Sequence, residues 1–156
     1  MPGGFTLIEA LLASVILALV VGAILIPFTA GAQNAVQNAR EVLAANLAQE
    51  LMEEILSKSF NDPDGTNAGE TNRMKWDDMR DYNNFSESQG NIRNLNGEIF
   101  TAPSAANMSR TARVESVYVA GQDTSNPPTF LRITVEIRYK GQVIKKISRL
   151  VYENKK

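Results

Sequence analysis

The chain has 156 residues, room for one domain and an anchoring segment but not for two full domains. It contains no His and no Cys, which excludes His-based acid–base catalysis, Ser-His-Asp and Cys-His nucleophiles, thiolate metal ligands and disulfides. Lys+Arg 16 against Asp+Glu 17 gives a formal net charge of -1, which argues against a nucleic-acid binder or a strongly basic membrane-surface protein.

From Phe5 to Ala39 the only charged residue is Glu9. Leu7 to Phe28 is almost wholly apolar, and about 20 such residues cross the hydrocarbon core of a bilayer as a helix. The expectation is a membrane-spanning helix over 5–28. A cleaved secretory signal needs a basic start and a shorter apolar core. Here nothing basic precedes the run, although Ala30-Gly31-Ala32 after Pro27 resembles a late cleavage site. Glu9 is costly in such a span, roughly 2–4 kcal/mol on insertion scales, and calls for a partner or for the interface. Gly22 and Pro27 are candidate helix-break residues, because proline removes one helical hydrogen bond.

The run Gly4-Phe5-Thr6-Leu7-Ile8-Glu9, followed by unbroken apolar sequence, resembles the cleavage and methylation motif of type IV prepilins. The resemblance implies a leader over 1–4, cut between Gly4 and Phe5 by prepilin peptidase, and N-methylation of Phe5. It implies that the apolar helix sits in the inner membrane before assembly, head in the periplasm, and in a filament core afterwards. Glu9 would then meet the Phe5 amine of an adjacent subunit, and the Gly22–Pro27 stretch would unwind as the subunit leaves the bilayer. A buried ammonium and a buried carboxylate are each costly alone, so that pair would favour one axial register. Leaders of the family usually carry Lys or Arg before the Gly; Met1-Pro2-Gly3-Gly4 carries neither, so the positive-inside signal is weak.

After Phe28 the pattern turns amphipathic. Val36, Ala39, Leu43, Leu47, Leu51 and Ile55 recur at steps of three or four, predicting an apolar stripe over 29–58, with Glu41, Glu50, Glu53 and Glu54 on other faces or the border. Pro63 and Gly65 end the helix. Residues 59–97 read as a polar loop region pinned by Trp76, Met79, Tyr82 and Phe85. Asp62, Asp64, Asp77, Asp78 and Asp81 are weak calcium candidates: calcium takes clustered oxygens, but no EF-hand spacing is present. Some pseudopilins bind calcium; no other cofactor is expected.

Residues 98–156 read as an antiparallel sheet. Ala112–Ala120, Phe130–Tyr139 and Gln142–Tyr152 are rich in Val, Ile, Thr and Tyr, Lys140-Gly141 makes a tight hairpin, and Glu98–Thr101 adds a short strand. The fold class expected is α+β, a long N-terminal helix packed on a small antiparallel sheet. Thr129–Lys156 carries eight basic residues against two acidic, and this basic tail reads as a solvated face or as a partner for an acidic neighbour, with nucleic acid disfavoured. Leu47–Leu56, running into Phe60–Gly65, and Trp76–Glu87 are similar to minor pilins of the mannose-sensitive haemagglutinin type IV pilus. The function implied is a minor pilin partnered by other pilins, prepilin peptidase, membrane lipid and the inner-membrane assembly platform. Two alternatives stand beside it: a type II secretion pseudopilin, and a single-span anchor for a ligand-binding domain. No motif supports an enzyme.

Overall fold

The computed structural model describes residues 4, 6–66 and 69–153. The chain forms two compact units, Met1–Ala39 and Arg40–Lys156. The elements are a helix α1 (Leu7–Leu56), a 3₁₀ turn (Arg80–Tyr82) and strands β1 (Ser86–Glu87), β2 (Met108–Val117), β3 (Phe130–Tyr139) and β4 (Gln142–Tyr152). This is the α+β class expected.

In the first unit the helix has no buried face: Leu7, Ile8, Ile26 and Phe28 are each more than 70 % exposed. It continues through Gly22 and Pro27 without interruption. Thr29 Oγ1 donates to the carbonyls of Leu25 (3.0 Å) and Ile26 (2.9 Å), and Ser14 Oγ to Leu11 (2.8 Å). These hydroxyls are satisfied within the helix itself, as a lipid or dry protein setting requires.

In the second unit the end of α1 lies on the sheet. Ala44, Leu47, Ala48, Leu51, Met52 and Ile55 are buried at steps of three and four, one stripe of the helical repeat. The stripe therefore begins later than expected: Val36 and Ala39 are exposed and Leu43 is half-buried. The sheet runs β1-β2-β3-β4, antiparallel throughout. β3 supplies Leu131, Ile133, Val135 and Ile137, all fully buried, and β2 supplies Met108, Ala112 and Val114. Each fully buried Leu or Ile contributes about 1.5–3 kcal/mol relative to exposure. Lys140 (φ 49°) and Gly141 (φ 83°) make the two-residue turn with both φ positive that suits the twist of a hairpin.

β3 and β4 keep their expected bounds, but β2 starts four residues earlier and ends three earlier than the pattern suggested. A charge at an inward position, Arg110, interrupts the apolar alternation there, while Tyr118, Val119 and Ala120 are exposed loop residues. Glu98–Thr101 forms no strand; only an isolated bridge, Arg93 to Ile99, occurs. The polar region holds β1 and the 3₁₀ turn. As expected, its aromatic residues pin it down. Tyr82 is fully buried, with Trp76 (centroids 4.8 Å) and Phe85 (6.1 Å) edge-on to it.

Candidate functional site

Glu9 sits at the start of the exposed apolar helix. Its Oε2 accepts the Thr6 N–H (2.9 Å) and the Thr6 hydroxyl (2.8 Å), while Glu9 N donates to Thr6 Oγ1 (3.4 Å). Thr6 and Glu9 thus form a reciprocal capping box, which satisfies donors that a helix start leaves orphaned. The Thr-x-x-Glu spacing before an apolar run was the available signal for it. Glu9 so has a partner within its own chain, at the N-terminal end of the apolar helix. Gly4 is exposed and outside regular structure. Phe5 lies outside the described residues. Gly22 and Pro27 lie inside the continuous helix, so no break occurs at either in this state.

The five Asp candidates separate into different roles. Asp62 Oδ1 accepts N–H groups from Asp64 (3.1 Å) and Gly65 (2.7 Å), and Asp64 Oδ1 accepts Thr66 N–H (3.0 Å). Asp78 Oδ1 accepts N–H groups from Arg80 and, at 3.2 Å, from Asp81. Asp81 Oδ2 in turn accepts those of Asp77 and Asp78, each at 3.1 Å. These are short-range turn contacts of the kind that make Asp favoured in loops.

Two carboxylate groups nevertheless converge within 4.8 Å: Asp62, Asp64 and Asp77, and Glu70, Asp77 and Asp81. Asp78 belongs to neither. Glu70 was missed in the sequence, since nothing in its spacing places it beside residues seven and eleven further on. Asp77 is common to both groups, and its Oδ1 is buried without a hydrogen-bond partner. Desolvation and the Asp77 and Asp81 carboxylates push Glu70 up to about 7. An adjoining cavity of about 610 Å³ is lined by Asp62, Glu70, Trp76, Asp78, Arg80, Asp81 and Asn83. A hard cation takes six to eight oxygens, and each group supplies three carboxylates toward that number.

A second charged assembly was invisible to pattern reading. Glu54, on the buried stripe of α1 rather than its border, accepts Arg73 Nε (2.6 Å), Arg73 Nη2 and the Tyr82 hydroxyl (2.7 Å). Arg73 Nη1 continues to Glu87 Oε1 (3.1 Å), and Glu87 Oε2 accepts Arg110 Nε (2.7 Å). Arg110, fully buried, also donates to the carbonyls of Leu47 (3.2 Å) and Arg93 (2.7 Å). Charges alternate along the chain Glu54, Arg73, Glu87, Arg110, so each buried ion faces its opposite. Burial opposes ionisation of Glu54, but the hydrogen bonds from Arg73 and Tyr82 and the two guanidinium charges hold its carboxyl below the usual range. Burial and the Glu54 carboxylate push the Tyr82 phenol up. This network ties α1, the polar loop, β1 and β2 together.

Leu7–Leu56 includes a window of mean hydropathy 2.8 with none of it buried, a helix long and apolar enough to cross a membrane. An exposed apolar surface of that extent requires lipid or protein around it. Compared with protein-family models, with characterised proteins and with solved structures, the chain matches none.

Proposed function

We propose that this chain is a minor pilin, a structural subunit of a type IV pilus anchored in the bacterial inner membrane before assembly and processed by prepilin peptidase. The observation that carries the reading is the Gly4-Phe5-Thr6-Leu7-Ile8-Glu9 motif opening directly into a helix whose apolar surface over Leu7–Phe28 is uncovered. A soluble enzyme has no use for such a helix, whereas a subunit that passes from bilayer to filament core uses it in both settings. Glu9 caps its own helix through Thr6 in the single chain. On assembly its carboxylate meets the new amine of Phe5 on an adjacent subunit, exchanging one polar partner for a charged one. The α+β second unit, with its buried ion network, supplies the head. A type II secretion pseudopilin shares all of this physics and is the alternative reading; a single-span anchor for a ligand-binding domain is the alternative of another class.

The test is the intact mass and N-terminal sequence of the membrane-extracted protein expressed with a prepilin peptidase. The expected result is a chain beginning at N-methylated Phe5. A chain beginning at Met1 would indicate an ordinary membrane anchor, and one beginning after Ala30 a secreted domain; either overturns the proposal. Pull-down of partner subunits from the native host separates pilus from secretion system.

A further inference from the structure

The sheet has two unequal edges. β1 is two residues long, whereas β4 runs for eleven, from Gln142 to Tyr152. β1 covers only Arg110 and Thr111 of β2, and Ala112 N and Val114 N are taken by Phe85 O and Asn83 Oδ1, so β4 presents the longest open edge. Among the described residues no strand pairs with its outer side, so that side presents a row of backbone donors and acceptors that another chain can use. A register shift near the hairpin leaves Ile144 unmatched between Val143 and Lys145. The regular run is therefore Lys145–Tyr152.

The side chains along this run select what can pair with it. Lys145 and Arg149 share the face of β3's buried residues, opposite Ile137 and Ile133. Both are exposed all the same, because the helix covers β2 and β3 and leaves this margin open. Neither makes an ion pair or hydrogen bond among the described residues. On the opposite face Lys146 is paired with Glu136 at 2.9 Å. Leu150 and Tyr152 are exposed there, 55 % and 63 %. β4 itself contains no acidic residue.

We propose that β4 is a strand-docking edge that accepts an extended acidic segment of a neighbouring protein. Backbone hydrogen bonds give such an interaction its affinity, and alternate side chains give it specificity. Carboxylates four residues apart on the incoming strand meet Lys145 and Arg149 on one face, and apolar residues on the other cover Leu150 and Tyr152. A second copy of β4 is the wrong occupant. Antiparallel self-pairing centred on Ile147 sets Lys145 against Arg149, and like charges directly opposed across strands are destabilising. In that register the charges disfavour self-pairing, and Lys145 and Arg149 together favour an oppositely charged partner. The proposal rests on residues of the second unit alone and holds whether or not the filament reading does.

The experiment uses the full chain in detergent micelles and two extended peptides of about ten residues, built from Thr, Val and Ser. One carries Glu at two positions four apart, the other Lys at the same positions. Amide hydrogen exchange reports where each peptide binds, and fluorescence anisotropy of labelled peptide reports affinity. The Glu peptide should protect amides of Lys145–Tyr152, bind at least tenfold more tightly than the Lys peptide, and weaken as salt rises. The double variant Lys145→Glu/Arg149→Glu, altered only at exposed positions, should fold normally and reverse the preference. Absence of protection with both peptides, equal affinity for the two, protection elsewhere, or concentration-dependent dimerisation through β4 would each overturn the proposal.

Discussion

The buried ion network makes an asymmetric prediction. Removing either member of the Glu87–Arg110 pair leaves the other buried, and breaking a buried pair costs about 3–5 kcal/mol. The partners do not suffer equally. In Arg110→Met, Glu87 keeps Arg73 Nη1 at 3.1 Å and the Arg93 N–H at 3.0 Å, and the Arg93 carbonyl keeps Arg73 Nη1 at 3.1 Å. Its cost should lie near the lower bound, about 3 kcal/mol. In Glu87→Gln, fully buried Arg110 loses the only carboxylate it pairs with among the described residues and retains two neutral carbonyls, so the cost should lie near the upper bound, about 5 kcal/mol. The double variant should fall short of the sum by about 1–3 kcal/mol, the coupling of contacting residues. Chemical denaturation of the full chain in micelles measures all three. Trp76, the sole tryptophan, packs edge-on against Tyr82 and Phe85 and reports loss of this core. Strict additivity, or a larger loss for Arg110→Met than for Glu87→Gln, would refute the pairing scheme.

The capping box separates two roles of Glu9. Glu9→Gln keeps an acceptor for Thr6 and loses the charge, so it should leave amide exchange of the first turn nearly unchanged yet impair incorporation into filaments; normal incorporation sinks the charge-pairing role. Thr6→Ala should instead cost about 1 kcal/mol at the helix start, read as faster exchange at Glu9 and Ala10. Glu70 binds its proton more tightly in the folded chain, so the stability it contributes is full at low pH and is lost as pH rises from the ordinary carboxyl range through about 7; side-chain NMR titration should place its midpoint there, and a midpoint near 4.5 contradicts the cluster. Gly90 has φ +76°, and an added Cβ would lie 3.0 Å from the Ala106 carbonyl oxygen. Gly90→Ala should therefore destabilise by at least about 1–2 kcal/mol, measured by the same denaturation assay.

The long apolar helix, its amphipathic continuation and the last two strands were legible in the chain because each follows from a local property. Uniform apolarity over Leu7–Phe28, a step of three or four over Leu43–Ile55, and strict alternation over Leu131–Tyr139 each depend on nothing but neighbours in sequence. What pairs residues distant in sequence was not legible. Arg110 reads as an interruption of a strand and Glu54 as the border of a stripe. Only the folded second unit brings Glu54, Arg73, Glu87 and Arg110 into one line, where a charge at an inward position becomes affordable because its opposite is buried beside it. Spacing set out five aspartates as one group, and tertiary structure divided them between turn-making and convergence while adding Glu70. The physical reason is the same throughout: periodicity records which side a residue faces, and only packing decides what it meets there.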